Sequence, residues 1–249
     1  MRIHAKGLRK RYGNVLALDD VLWEVPAGQI VALLGPNGAG KSTFLNALAG
    51  VIPLDAGQVF LDDELYTPGR DDLRRRFAVI PDIPTIAQRW TPVRFMGSAV
   101  KLYRGATEEL PERAMQIFSE LDLLSVALAP FHQLSRGQAY KAILAGFLAA
   151  DPELWFVDEP FASGMDPRGL NAFKRYSREA SKRGGTIIYT TQIIEVAEQF
   201  SDRICILNKG RIVADATPVE LCEGSKYEEL LAELHESPRA ADSETNEKK

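Results

Sequence analysis

The chain has 249 residues, 45% hydrophobic and 26% charged, with a formal net charge of −4. This is the balance of a soluble globular protein long enough for one large or two small domains. It excludes a membrane span, because the longest strongly apolar stretch, "AILAGFLAA" at 142–150, falls far short of the roughly 20 residues that a spanning helix needs, and the net negative charge argues against a nucleic-acid binder. The N-terminus, "MRIHAKGLRKRYG", has basic residues but no apolar core, so it is not read as a secretory signal. Cys205 and Cys222 form no CxxC pair and read as free thiols in a reducing cytosol.

Residues 1–83 are expected to hold short strands with Gly/Pro turns, then a buried strand in "GQIVALLG", a helix over "KSTFLNALAG" ending at Gly50, and further strands. Between strand and helix lies "GPNGAGKST", 35–43, which matches GxxxxGK[ST] with Gly35, Gly40, Lys41 and Ser42 in place. Glycines here let the backbone curl so that its N–H groups converge on phosphate oxygens, and the helix N-terminus adds a favourable dipole. Gly35, Pro36, Asn37, Gly38, Ala39, Gly40, Lys41, Ser42 and Thr43 are therefore the candidate nucleotide-binding residues. Lys41 is expected on the β- and γ-phosphates and Ser42 on Mg²⁺.

Residues 84–150 change character. "PVRFMGSAVKLYRG", "PERAMQIFSELDLL" and "RGQAYKAILAGFLAA" each carry apolar residues at helical spacing, with no convincing strand between them. From 151 to 222 alternation returns: strand "LWFVD", a helix after Pro167, strand "TIIYTT", a helix at 194–201, strand "RICILN", and an "NKG" turn into "RIVADA" as a hairpin. The run "LWFVDEP" places Asp158 at a strand's C-terminal edge to hold the metal's water shell, with Glu159 one residue on to orient or deprotonate a water. Gln192 follows the strand "TIIYTT", at the kind of edge where open α/β sheets place ligands. The tail from about 223 is rich in Glu, Ser and Lys; "KYEELLAELH" reads as a short helix and "SPRAADSETNEKK" as disordered.

With these residues in view, the chain resembles the ATP-binding subunit of an ABC transporter over residues 2 to about 222. "LSRGQ", 134–138, is similar to that family's signature at a helix start. By this resemblance Ser135, Arg136, Gly137 and Gln138 bind the γ-phosphate of ATP held by the other subunit of a head-to-tail dimer. Tyr12 corresponds to the aromatic that stacks on adenine, and "SGMD", with Ser163 and Asp166, to the loop that touches the opposite subunit. The implied fold is an α/β P-loop NTPase core with an N-terminal antiparallel β subdomain and an inserted helical subdomain. As a domain scheme this makes 1–222 a single ATPase domain, with 1–83 and 151–222 as the core, 84–150 as the helical part and 223–249 as a polar tail.

Three positions depart from the family pattern. Asp82 in "AVIPD" stands where Gln ordinarily ligates Mg²⁺ and senses the γ-phosphate; a carboxylate can hold the metal but repels phosphate without it. Arg136 replaces the first signature glycine, and its side chain either turns toward phosphate or lies outward on a solvated helix end. Gln192 stands where His is usual; it can donate a hydrogen bond but carries no charge. The resemblance implies a MgATP-dependent ATPase that energises a separate transmembrane permease together with a second ATP-binding subunit, peripheral on the cytoplasmic face of the cell membrane and without nucleic acid. Its permease-docking groove is expected around Asp82–Phe95. The closing "DRICILNKGRIVAD" and the absence of a long regulatory domain point to export, and Asp82 with Gln192 to slowed hydrolysis. The alternatives are an ATP-binding regulatory subunit with little turnover, or a soluble ABC ATPase not tied to transport.

Overall fold

The computed structural model describes residues 1–82, 88–104 and 110–223. In chain order it runs β1 (Ile3–Tyr12), β2 (Val15–Val25), β3 (Ile30–Leu34), α1 (Lys41–Leu48), β4 (Ala56–Leu61), β5 (Glu64–Tyr66), α2 (Asp71–Arg74) and β6 (Phe77–Ile80). Three helices follow, α3 (Pro92–Tyr103), α4 (Leu110–Glu120) and α5 (Arg136–Ala150). The chain then returns through β7 (Leu154–Val157), α6 (Pro167–Lys182), β8 (Thr186–Thr191), α7 (Ile194–Phe200), β9 (Arg203–Asn208), β10 (Arg211–Ala216) and α8 (Pro218–Glu223).

Two sheets result. One is antiparallel, in the order β2-β1-β4-β5; the other has the order β10-β9-β3-β8-β7-β6, parallel except for the antiparallel edge strand β10. All five residues of β3 are buried, as a strand covered on both faces requires. Its alternating side chains divide the core: Val31 and Leu33 pack with Phe44, Leu48, Phe77 and Phe156 under the antiparallel sheet, whereas Ile30, Ala32 and Leu34 join the helices on the other face. Truncating such a side chain, Leu33→Ala for example, costs about 2–5 kcal/mol.

The first two strands are not short. β1 and β2 run for 10 and 11 residues as one long ribbon. Register shifts between Ala5 and Leu8, and Gly7 at φ 62°, interrupt the period-2 pattern; a bulge bends a strand without ending it, so one strand reads as two in the sequence. The "NKG" turn closes the β9–β10 hairpin with positive φ at Lys209 and Gly210, the geometry that a tight hairpin favours.

α5 is buried over most of its circumference, including Tyr140, Ile143, Leu144 and Leu148, and packs against Met96 and Val100 of α3 and against Trp155 of β7. It thereby ties the three-helix segment to the parallel sheet. Ser135 starts it with a reciprocal capping box: its hydroxyl accepts from the Gln138 N–H at 3.2 Å, and the Gln138 carbonyl Oε1 accepts from the Ser135 N–H at 3.0 Å. No described helix is long and apolar enough to cross a membrane. The expected tail helix "KYEELLAELH" and part of the expected docking groove, 83–87, lie outside the described residues.

Candidate active site

The loop 35–40 leaves the C-terminal end of β3 and turns into α1 at Gly40, whose φ of 102° is open to glycine alone in practice. A Cβ on Gly40 would lie 2.5 Å from the Ala17 carbonyl oxygen, so β2 presses directly on the loop. From the other side the β9–β10 turn holds it, the Gly210 N–H donating to the Ala39 carbonyl at 2.9 Å. No side chain caps α1, which leaves its first N–H groups to an anion.

Lys41, the first residue of α1, is only 6% exposed. Its Nζ donates to the carbonyls of Gly35 (2.8 Å) and Pro36 (3.1 Å) and lies 3.6 Å from Glu159 Oε1. Burial pulls the ammonium below its ordinary pKa, and Glu159 opposes the shift.

The two acids follow β7. Asp158 Oδ1 accepts from the Ser42 hydroxyl at 3.1 Å and from the Thr190 hydroxyl at 2.6 Å. Thr190, fully buried on the neighbouring strand β8, also accepts from the Glu159 N–H at 2.9 Å. One hydroxyl therefore fixes both acids. Glu159 sits at φ 45°, in the left-handed region that non-glycine residues enter at a cost of about 1–3 kcal/mol. Its Oε2 is buried with no hydrogen-bond partner, and burial, with Asp158 nearby, raises its carboxyl pKa against the pull of Lys41.

These groups line one cleft of about 540 Å³, a volume usual for a ligand site. Asn37, Gly38, Gly40, Lys41, Ser42, Thr43, Asp82, Asp158 and Glu159 all face it. Gly35, Pro36 and Ala39 build the loop beneath through their backbone. The cleft also takes in Val15, Leu16, Ala17 and Lys209, which the sequence reading did not select.

Other expected residues stand outside the lining. Tyr12 is 49% exposed at the last pair of the β1–β2 ribbon, opposite Val15, with the Lys10 ammonium 5.4 Å from its ring centroid. Gln192 is exposed between β8 and α7. Ser135, Arg136, Gly137 and Gln138 lie at the start of α5, where a Cβ on Gly137 would drive into the Gly164 carbonyl. Arg136 stays exposed at the helix start, and its Nη2 donates to Asp82 Oδ1 at 2.6 Å. Ser163 has its side chain turned into the fold. Its hydroxyl is buried and donates to the Pro160 carbonyl at 2.7 Å, because the turn after Glu159 folds it inward. Asp166 caps α6, accepting from the Gly169 N–H at 2.8 Å and from Lys141 Nζ at 2.7 Å.

The ABC transporter family model matches residues 18–162. The chain is 30% identical, over 97% of its length and 73% of the relative's, to the daunorubicin/doxorubicin resistance ATP-binding protein of Streptomyces peucetius. It is 32% identical to the Nod factor export ATP-binding protein I of Burkholderia orbicola, over 89% of this chain and 72% of that one. It is also 32% identical to an energy-coupling factor transporter ATP-binding protein of Methanothermobacter thermautotrophicus, over 82% and 67%. Among solved structures, an ATP-binding subunit of an ABC transporter superposes with a TM-score of 0.85 at 28% identity, covering 94% of this chain and all of that one. A dimeric ABC cassette in a post-hydrolysis state with ADP and Pi superposes with a TM-score of 0.76 at 25% identity, over 87% and 98%. With a P-loop, its paired acids and a mixed α/β fold of this kind, the chain belongs to the ABC transporter family as an ATP-binding subunit, an ATPase.

Proposed function

We propose that the chain binds MgATP in this cleft and hydrolyses it, at a reduced rate, as one half of a head-to-tail pair of ATP-binding subunits on the cytoplasmic face of the cell membrane. There, closure of the pair drives a separate transmembrane permease. The observation that carries this reading is the convergence of the Ser42 hydroxyl, Lys41, Asp158 and Glu159 on one cleft under an uncapped helix start. In it, Lys41 and the loop 35–43 hold the phosphates, Tyr12 stacks on the base beside Val15, and Glu159 orients water and takes its proton. The free Glu159 Oε2 is the acceptor such a step requires.

The donors fit Mg²⁺. Ser42 and Asp158 are already adjacent, Asp82 lines the same cleft, and all three offer hard oxygen ligands. No group of three or more His, Cys, Asp or Glu side chains able to hold a metal occurs among the described residues, so nucleotide oxygens or water must complete the shell, which is the usual case for Mg²⁺. When bound, the ion neutralises charge on the phosphates.

Ser135, Arg136, Gly137, Gln138 and Asp166 form the surface offered to the partner's nucleotide and subunit. Ser163 contributes there through the shape of its turn alone. Residues 1–222 act as one ATPase domain, with 84–150 as its helical part. The slowed rate rests on Gln192, a neutral amide that gives a weaker hydrogen bond to phosphate than a charged histidine would. Export is favoured by the drug-resistance and Nod-factor-export relatives. A nucleotide-sensing regulatory role is favoured by the engagement of Asp82 with Arg136, but the retained Glu159 weighs against it.

The test is the turnover number of the purified chain against its own concentration. Activity per chain should climb with concentration and saturate, as a paired site demands; a turnover number independent of concentration across the micromolar range would contradict the sandwich.

A further inference from the structure

Asp82 and Arg136 are two of the three positions at which the chain departs from its family's pattern, and the structure joins them. Arg136 Nη2 lies 2.6 Å from Asp82 Oδ1 across 54 residues of chain. The pair is 56% and 34% exposed at its two side chains, so it adds little to stability. Its significance lies in where the carboxylate stands.

The cleft contains three carboxylates, Asp82, Asp158 and Glu159. Glu159 is balanced by Lys41, and Asp158 accepts from Ser42 and Thr190. Asp82 makes no other ion pair among the described residues, and its partner comes from the start of α5, outside the cleft lining. Without Arg136, a full negative charge would face any polyphosphate entering the cleft.

We infer that Arg136 is a positioning residue for Asp82 and sets how strongly nucleotide binding depends on the metal. The inference rests on the reading of the cleft as a MgATP site. In the nucleotide-free chain Arg136 neutralises Asp82 and draws its carboxylate toward α5. ATP arriving without metal meets a compensated site. ATP arriving with Mg²⁺ offers Asp82 a stronger cation, for which it exchanges the guanidinium. Arg136 is then free at the surface next to Ser135, so filling the chain's own cleft alters the charge it displays at its signature end.

The experiment is ATP affinity of the full chain in EDTA and in saturating Mg²⁺, for wild type, Arg136→Ala, Arg136→Lys, Asp82→Asn and the Asp82→Asn/Arg136→Ala double variant, each checked for an unchanged melting profile. With the chain kept dilute enough that no partner's nucleotide reaches Arg136, Arg136→Ala should weaken metal-free ATP by about 10-fold, the scale of one uncompensated charge at partly solvated range, and leave MgATP unchanged or tighter. Arg136→Lys should behave as wild type. In the Asp82→Asn background, removing the arginine should change nothing. Equal weakening of both forms by Arg136→Ala, an arginine effect that persists in the Asp82→Asn background, or no difference at all would each overturn the inference while leaving the nucleotide site standing. Failure of wild type to bind ATP in either condition would sink the nucleotide reading, and this inference with it.

Discussion

Two helix starts in this chain carry phosphate-type sequence, and they are built in opposite ways. At α1 no side chain caps the helix, the lysine is buried, and the loop is pressed between β2 and the β9–β10 turn. At α5 the serine and glutamine cap each other, the arginine is exposed, and its guanidinium is drawn back to Asp82. The first leaves its backbone N–H groups open to an anion, while the Lys41 ammonium and the Ser42 hydroxyl are held by Gly35, Pro36, Glu159 and Asp158. The second is satisfied by its own chain, through the Ser135–Gln138 capping box and the Arg136–Asp82 pair.

The comparison can be broken most sharply at the acids. Glu159→Gln should lower turnover by about 10²–10⁴-fold, the usual contribution of a positioned general base, while ATP affinity stays near wild type. The same residue sets a pH limb. Burial holds its carboxyl above the ordinary value, and a base must be ionised, so turnover should fall as pH drops through that raised pKa and level off above it. Glu159→Gln should abolish this limb in a pH–rate profile.

Lys41→Ala comes next. It removes charge-assisted hydrogen bonds worth about 1.5–3 kcal/mol each, so ATP affinity should fall about 100-fold by equilibrium titration. Thr190→Val keeps the shape but leaves the part-buried Glu159 N–H without its acceptor and Asp158 with the Ser42 hydroxyl as its remaining side-chain donor. The expected loss is about 1–3 kcal/mol of stability by denaturant titration, with a reduced kcat and a smaller change in KM. The mildest change belongs to the exposed end: Ser135→Ala opens the capping box at a cost of about 1 kcal/mol, a drop of about 2–4 °C in Tm. If Ser135→Ala cost ATP binding as much as Lys41→Ala, the contrast between the two helix starts would be wrong.

What could be read in advance follows from how local each requirement is. The loop 35–43 declares itself because its spaced glycines, Gly35, Gly38 and Gly40, with Lys41 and Ser42, are demanded by one turn of backbone. Asp158 and Glu159 declare themselves at the end of a buried apolar run. Thr190 does not, because its role depends on β8 lying beside β7, an adjacency made across 32 residues that no local pattern encodes. The Arg136–Asp82 pair is hidden for the same reason: each residue is visible as a departure, but their meeting is set by how α5 packs against the sheet. The Ser163 side chain is hidden too: its hydroxyl is buried against the Pro160 carbonyl, a contact that the motif around it does not encode.

The account turns on Gln192, which keeps a donor at the strand-to-helix junction but no charge. Its most direct test is the steady-state ATPase rate of purified wild type beside Gln192→His and Glu159→Gln. The account predicts a slow wild type, a gain of about 2–10-fold with histidine, the scale of turning a neutral hydrogen bond into a charge-assisted one, and near-complete loss with Glu159→Gln. A wild type that turns over briskly and gains nothing from histidine would contradict it.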